Sequence, residues 1–517
     1  MSLTGTYIKP NVKLFDNQKE NVRQLVCRRH ALLSDKVGAG KSLSTLYAFA
    51  CLKQKEKVKN LIVLTPLSAY AKKVWYIDIT KFTTFKSIDL DTLSARLEGH
   101  YDKIDMILNQ YDVIYGKHSH VKQYSNVIST ICARTSTLLV VDEVHAFKNP
   151  NSDLTIKFKA STLGIKNFWG ITGTSVSKNL EDVYNIVNLI YPWFFGTFLH
   201  FRDNYCLTKE KVIGRRGGRL VKAQEIIGVK DEEAFKQKIS AIMIAGQSFL
   251  KVKYQYVDYE LTEEEAELYR TIANGIDLSE ELTAEAWLKK VLSEDTVEPR
   301  PIKEVERHSS RFIYLQSSAD GILTRQGTQD NNKSTKIDLL IDRLRTIVDK
   351  KQSVIVYFDF KASLECVYRR IVEEKLDVVL LRSTGDHVLK NDAITEAKVK
   401  QKPHILLCTK AASESVSYYF MNNVIFFHVP TIPSCMVQLL GRITRKNTLY
   451  PDDLNCYIFR STNIDLYKLM VVSAKAAQME AAQMGYTEEN IPPDYKRIAT
   501  KAEALDRAKK VLLWRRY

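Results

Sequence analysis

Short aliphatic runs recur through the first third of the chain, at residues 61–64 (LIVL), 112–115 (DVIY) and 138–141 (LLVV). Each is bounded by polar residues. Strands covered on both faces of a parallel sheet read as such near-continuous apolar runs, without strict alternation. Segments with helical spacing lie between them, for example residues 42–52. Strand and helix in alternation predict a doubly wound α/β lobe. The pattern starts again near Ser334, with apolar runs at residues 353–357 (SVIVY), 378–381 (VVLL), 404–408 (HILLC) and 424–427 (VIFF). Two α/β lobes are expected, although their sequences show no repeat.

The stretch between them differs. It carries a basic, glycine-rich piece at residues 211–219 (KVIGRRGGR), which reads as a hairpin or loop, and then charged helical sequence at residues 262–272. The end of the chain is polar and helical in pattern, interrupted at Pro492-Pro493. The divisions expected are residues 1–200 for the first lobe, 201–333 for a mixed linker or insertion, 334–474 for the second lobe and 475–517 for a helical tail.

Composition sharpens this only in part. A chain of 517 residues is too long for one ordinary domain, and its 45% hydrophobic and 26% charged residues are those of a soluble globular protein. A net charge of +16 favours a polyanionic partner, because Lys and Arg that neutralise phosphates release counterions. The eight cysteines include no C-x-x-C pair, which argues against a zinc ribbon and for buried thiols in a reducing compartment. No signal-peptide core or long apolar span is visible, so an intracellular location is expected, cytoplasmic or nuclear according to the host.

Chemistry enters with residues 35–42 (DKVGAGKS), which follow an apolar run and precede a helix. A glycine-rich turn there lets backbone N–H groups approach phosphate oxygens, and the helix N-terminus favours negative charge. Lys41 would reach the β- and γ-phosphates and Ser42 would hold magnesium. Asp35 stands where the strict phosphate-loop pattern has its first glycine. About a hundred residues on, LLVVDEVHAFKNPNS places Asp142 and Glu143 at the end of an apolar strand. Asp142 is placed to bind magnesium and Glu143 to polarise an attacking water. Phosphoryl transfer needs charge neutralisation and a positioned water, and these two motifs supply both.

With these residues in view the chain resembles the superfamily-two helicases, and within them the Swi/Snf-type double-stranded DNA translocases. DKVGAGKS is similar to the family's D-E-M-G-x-G-K-T. VVDEVHAFKNPNS is similar to its D-E-A-H-x-x-K-N-x-x-S, a DEAH-like box, through Lys148, Asn149 and Ser152. LIVLTPLSAYAKKVW resembles motif Ia with its trailing Trp75, GITGTSVSKNLEDVYNIVNLIYP follows L-T-G-T-P-x-x-N-x-x-x-E-L, and VIVYFDF stands where motif IV is expected. LLCTKAASESVS resembles motif V and QLLGRITRKN motif VI. The resemblance implies two tandem RecA-like lobes with ATP and magnesium as cofactors.

It also implies roles, residue by residue. Gln18 would touch the adenine. Asp35, Gly38, Ala39, Gly40, Lys41 and Ser42 would form the nucleotide cradle. Arg442 and Arg445 would complete the site as arginine fingers. His145, Thr172, Thr174 and Gln438 would couple hydrolysis to the track. Thr65 and Thr409 would touch the nucleic-acid backbone, joined by Arg215, Arg216 and Arg219 of the basic segment. Departures from the family pattern are Ser175 for the proline after T-G-T, Ser413 and Ser415 for motif V glycines, His428 where an acidic residue is common, and Ala245-Gly246 for paired arginines.

The expected function is a DNA-dependent ATPase that moves on duplex or branched DNA. A strand-separating helicase on DNA or RNA and an ATP-gated clamp or adaptor stand as alternatives. No chromodomain, bromodomain or zinc finger accompanies the motifs, as in a minimal motor of phage or viral kind. A monomer is favoured, and the tail is expected either to pack on the second lobe or to bind another protein.

Overall fold

The computed structural model describes residues 6–35, 38–134, 136–173, 180–216, 219–245, 252–274, 316–322, 334–384, 393–409, 418–430, 433–444, 448–460, 464–470 and 472. The chain forms two compact units, whose described parts are residues 6–245 and 252–472. The tail at residues 475–517 lies outside the described residues, as does the greater part of residues 275–333.

The first unit is built on a seven-stranded sheet, with β1 (His30–Ser34), β2 (Asn60–Thr65), β3 (Ser87–Asp89), β4 (Val113–Lys117), β5 (Thr137–Asp142), β6 (Asn167–Thr172) and β9 (Met243–Ala245). The order across it is β3-β4-β2-β5-β6-β1-β9, and every pairing is parallel. The aliphatic runs of the sequence are the strands at its centre. Leu61 to Leu64 and Leu138 to Val141 are all fully buried, which is why these strands show no polar face. The predicted helix over residues 42–52 is α2 (Lys41–Gln54), and α1 (Asp16–Val26) packs against it with Gln18, Asn21, Val22 and Leu25 on its buried face.

The basic glycine-rich segment forms a hairpin, β7 (Cys206–Arg216) and β8 (Arg219–Val229), paired antiparallel as a sheet of two strands. The hairpin and β9 belong to the first unit, whereas β10 (Lys253–Asp258) belongs to the second.

The second unit carries a six-stranded parallel sheet in the order β10-β15-β14-β11-β13-β12, with β11 (Val354–Tyr357), β12 (Val379–Ser383), β13 (His404–Cys408), β14 (Asn423–Phe426) and β15 (Asn455–Arg460). Alternate residues of one strand feed cores on opposite faces. Val354 and Val356 join the cluster of Ile405, Leu407 and Ile425, whereas Ile355 and Tyr357 join that of Leu406, Val424 and Phe426. All eight cysteines are free thiols and six of them are buried. Among the described residues no helix is long and apolar enough to cross a membrane.

Candidate functional site

Parallel strands of an open α/β sheet end on one edge, and ligands bind there, outside the carboxyl ends of the strands. In the first unit the register aligns Ser34 of β1 with Thr172 of β6, and Asp142 of β5 with Ile171. Asp35, Asp142 and Thr172 therefore come to one edge, although more than a hundred residues separate the first from the other two.

The cradle that follows β1 is held from below by α1. The Asn21 amide donates to the Asp35 carboxylate at 2.8 Å, and both side chains are buried. Gln18 lies one turn earlier on the same face. Its amide donates to the Ala39 carbonyl at 3.3 Å, and its oxygen accepts from the Phe15 N–H at 3.0 Å. Gly38 and Gly40 both have positive φ, 85° and 79°. At Gly40 a second constraint adds to this, since a Cβ there would stand 2.0 Å from the Gln18 amide nitrogen. Only glycine meets both conditions. Gly40 is the N-cap of α2, so Lys41 and Ser42 open the helix. The Lys41 ammonium donates to the Asp35 carbonyl at 2.8 Å, and its charge bears on both Asp142 and Glu143.

The two carboxylates are held quite differently. Asp142 accepts from the Trp75 indole N–H at 2.9 Å on one oxygen and from the Glu143 N–H at 3.0 Å on the other. Burial and the adjacent Glu143 charge push its carboxyl up to about 6, against the opposing pull of Trp75 and Lys41. Burial works on Glu143 in the same direction, but the hydrogen bond and charge of His145, with Lys41, hold it down at about 2. Glu143 is the ionised partner, and its φ of 49° is one that glutamate seldom adopts. That bend turns its carboxylate toward the end of β6. Thr172 Oγ1 donates to it at 3.3 Å, the Gly173 N–H at 3.4 Å, and His145 Nδ1 stands 3.2 Å away.

Two supports of this site carried no signal strong enough to single them out in the sequence. His118 follows β4. Burial pushes its imidazole down to about 4, so it is neutral near pH 7 and its Nε2 bonds the Asp142 carbonyl at 2.8 Å. Asn21 could have been found from its i,i+3 spacing to Gln18. Trp75 was visible as the end of a motif, but its bond to Asp142 needed the fold. Ser152 of the same acidic motif is the N-cap of the helix Asp153–Ser161, accepting from the Thr155 N–H at 3.2 Å, and Lys148 pairs with Asp182 at 3.4 Å.

Other candidates are placed as follows. Thr65 ends β2 at 1% exposure, and its hydroxyl has no hydrogen-bond partner. Arg215, Arg216 and Arg219 lie on the hairpin strands. In the second unit Thr409 follows β13, its N–H donating to the Ser383 carbonyl. Gln438 and Arg442 lie on the helix Pro433–Ile443, where Arg442 is buried. Thr174 and Arg445 lie outside the described residues, as do Ser175, Ser413 and Ser415.

His428 belongs to a buried polar cluster in the second unit. The Asp359 N–H donates to its Nδ1 at 2.9 Å, so Nε2 carries the hydrogen that it donates to Asp320. Asp320 also accepts from the Lys336 ammonium at 2.8 Å and from Ser363 at 3.0 Å. Lys336, Asp320 and Asp465 are fully buried, and Lys336 stands over the Phe427 ring at 4.5 Å. The acidic group that the sequence lacks at position 428 thus faces it from Asp320, on the segment ahead of Ser334. Although burial works to raise it, His428 and Lys336 hold the Asp320 carboxyl below the ordinary carboxylate range.

The SNF2-related domain matches residues 17–309 of this chain, and the helicase conserved C-terminal domain matches residues 335–447. Among curated proteins the chain is 20% identical over 434 residues to an uncharacterized ATP-dependent helicase of Bacillus subtilis, YqhH, covering 80% of this chain and 69% of that protein. It is 22% identical over 467 residues to the DNA repair and recombination protein RAD54-like of Drosophila yakuba, covering 83% and 56%. The ATP-dependent helicase FUN30 of Saccharomyces cerevisiae is 22% identical over 498 residues, covering 81% and 42%. The chain therefore spans only about half the length of the latter two. Among solved structures, the Sulfolobus solfataricus SWI2/SNF2 ATPase core in complex with dsDNA covers 96% of this chain and 98% of its own at 18% identity, with a TM-score of 0.40.

Proposed function

Because this chain belongs to the SNF2-related family, we propose that it is an ATP-hydrolysing motor that couples the ATPase cycle to movement on duplex or branched DNA. The observation that carries the reading is the pair Asp142 and Glu143. They stand at the end of β5 under the charge of Lys41, with Thr172 and Gly173 donating to Glu143.

In this reading the ATP phosphates replace the Asp35 carbonyl as the partner of Lys41. The N–H groups at the start of α2 face the phosphates, and Gln18 and Asn21 keep the cradle in shape. The raised Asp142 carboxyl fits a site that takes a divalent cation, since a nearby cation would favour its ionised form. Among the described residues no cluster of His, Cys, Asp and Glu makes a metal cage. Magnesium bound with ATP would need no such cage: Ser42 and Asp142 would hold it from the protein, and it would neutralise phosphate charge during transfer. Glu143, ionised and anchored by three neighbours, orients the attacking water. Thr172 touches that carboxylate from β6, whose next residues continue into Thr174. Arg442 and Arg445 act in hydrolysis as arginine fingers.

The relatives named for DNA repair and recombination favour DNA as the track, and the +16 charge fits a phosphate backbone. On this reading the protein works inside the cell. A second reading, strand separation, is favoured by the two-stranded hairpin of β7 and β8, the kind of element a strand-separating motor would use.

The test is the steady-state ATPase rate with no nucleic acid, single-stranded DNA, duplex DNA, branched DNA and RNA, with Glu143→Gln as control. Stimulation by duplex or branched DNA that the control lacks supports the motor on DNA. Stimulation by single strands or RNA alone favours the helicase, and no stimulation by any of them overturns both.

A further inference from the structure

Glutamate seldom takes the left-handed conformation found at Glu143, with φ 49° and ψ 52°. Among the described residues, the other non-glycine positions of positive φ, such as Glu56, Lys73, Glu98 and Lys351, are exposed, whereas Glu143 is partly buried. A conformation of this kind persists where its surroundings over-determine it. The peptide between Asp142 and Glu143 is held at both ends. Its N–H donates to the Asp142 carboxylate at 3.0 Å, and its carbonyl accepts from His118 Nε2 at 2.8 Å. The His118 ring also stands edge-on to Phe147 at 5.0 Å, where the turn that follows Glu143 ends. One side chain from the end of β4 thus meets the catalytic turn on both sides of Glu143.

His118 is tied in turn to the neighbouring strand. Its own N–H donates to the Thr65 carbonyl at 2.9 Å, one step beyond the Thr65–Lys117 pair that ends the β2–β4 register. The Thr65 hydroxyl is buried and has no hydrogen-bond partner among the described residues, a costly arrangement that an incoming acceptor would relieve. Resting on the motor reading above, in which the nucleic-acid backbone meets Thr65, we infer that His118 is a positioning residue for hydrolysis. It fixes the turn that aims Glu143 and joins that turn to Thr65, so that nucleic acid at the end of β2 acts on the carboxylate that orients the water. The route is short: one backbone hydrogen bond, one imidazole and one bond to the Asp142 carbonyl. His118 acts through Glu143 and not on the nucleotide.

Substitutions in the full chain separate aim from packing. His118→Phe keeps a ring against Phe147 and removes the Nε2–H. His118→Gln restores an N–H donor at similar reach, and Thr65→Val removes only the hydroxyl. Turnover is measured with and without saturating duplex DNA, alongside affinity for a non-hydrolysable ATP analogue and for the duplex. His118→Phe should lose about tenfold or more in duplex-stimulated kcat with both affinities within about twofold of the parent, and His118→Gln should recover most of the loss. Thr65→Val should lower the duplex-stimulated rate of the parent but change it little beside His118→Phe, because the route is already cut. A parental kcat in His118→Phe would overturn the inference, as would equal losses in the Phe and Gln variants, or losses at positions 65 and 118 that simply multiply. Thermal melts identify any loss due to unfolding, and a Phe variant that unfolds is replaced by His118→Asn, which is polar but too short to reach the Asp142 carbonyl. The inference fails alone if duplex stimulates the parent and His118→Phe alike. A parent that duplex does not stimulate removes the motor reading itself.

Discussion

Glu143 and Asp142 are neighbours in sequence with opposite surroundings, and that difference sets what each can do. Glu143→Gln keeps the shape and removes the charge that His145, Thr172 and Gly173 surround. Its kcat should fall by about 10²–10⁴-fold while ATP still binds, which nucleotide-binding titration alongside turnover will separate. Trp75→Phe removes the indole N–H donated to Asp142 and little of the packing. Turnover should fall at limiting magnesium more than at saturating magnesium, read from kcat against metal concentration. The two motifs were plain in the sequence because their residues are contiguous. Asn21, His118 and the bond of Trp75 were not, because their partners lie 14, 24 and 67 positions away and are met only through the sheet.

At the scale of elements, the apolar runs located β2, β4, β5, β11, β12, β13 and β14 to within a residue or two at their ends, but not β6 and β15, which lie inside the same sheets. The short edge strands β3 and β9, of three residues each, left no such run. The basic segment read as a hairpin or a loop, and its register was not visible, because the irregularity between Val212 and Gly214 leaves no mark in composition. Gly40 joins two elements, as the N-cap of α2 and the surface on which Gln18 of α1 rests. Gly40→Ala should abolish ATP binding in an equilibrium assay and lower the melting temperature, since both the positive φ and the 2.0 Å approach oppose a Cβ. Ser152→Ala, which removes only a helix cap, should cost about 1 kcal/mol in chemical denaturation and leave turnover nearly intact.

For the molecule as a whole, the pattern of alternating strands and helices was enough to expect two α/β lobes. It did not reveal that Asp320, far from any apolar run, would supply the buried acid beside His428 and Lys336. Breaking that cluster from one side leaves charge without a partner. Lys336→Met should destabilise the second unit by about 3–5 kcal/mol, measured by urea denaturation. The pH dependence follows from the lowered Asp320 carboxyl. Its folded pKa lies below its unfolded value of about 4, so its contribution is complete above that value and is lost as pH falls toward the folded one. Melting temperatures recorded from pH 7 down to pH 3 should therefore fall more steeply for the parent than for Asp320→Asn.

The second sheet opens with β10 at one edge, and among the described residues its neighbour there is β15, with Lys253 paired to Asn455. The strand made first in that unit thus waits for one made roughly 200 residues later, an interval of about 10–40 s at ordinary rates of synthesis. Throughout that time the ribosome carries a strand whose hydrogen-bonding edge has nothing to meet. A nascent chain of this protein is most exposed to wrong partners just when its first lobe can already be finished, and slowing translation should lengthen that exposure.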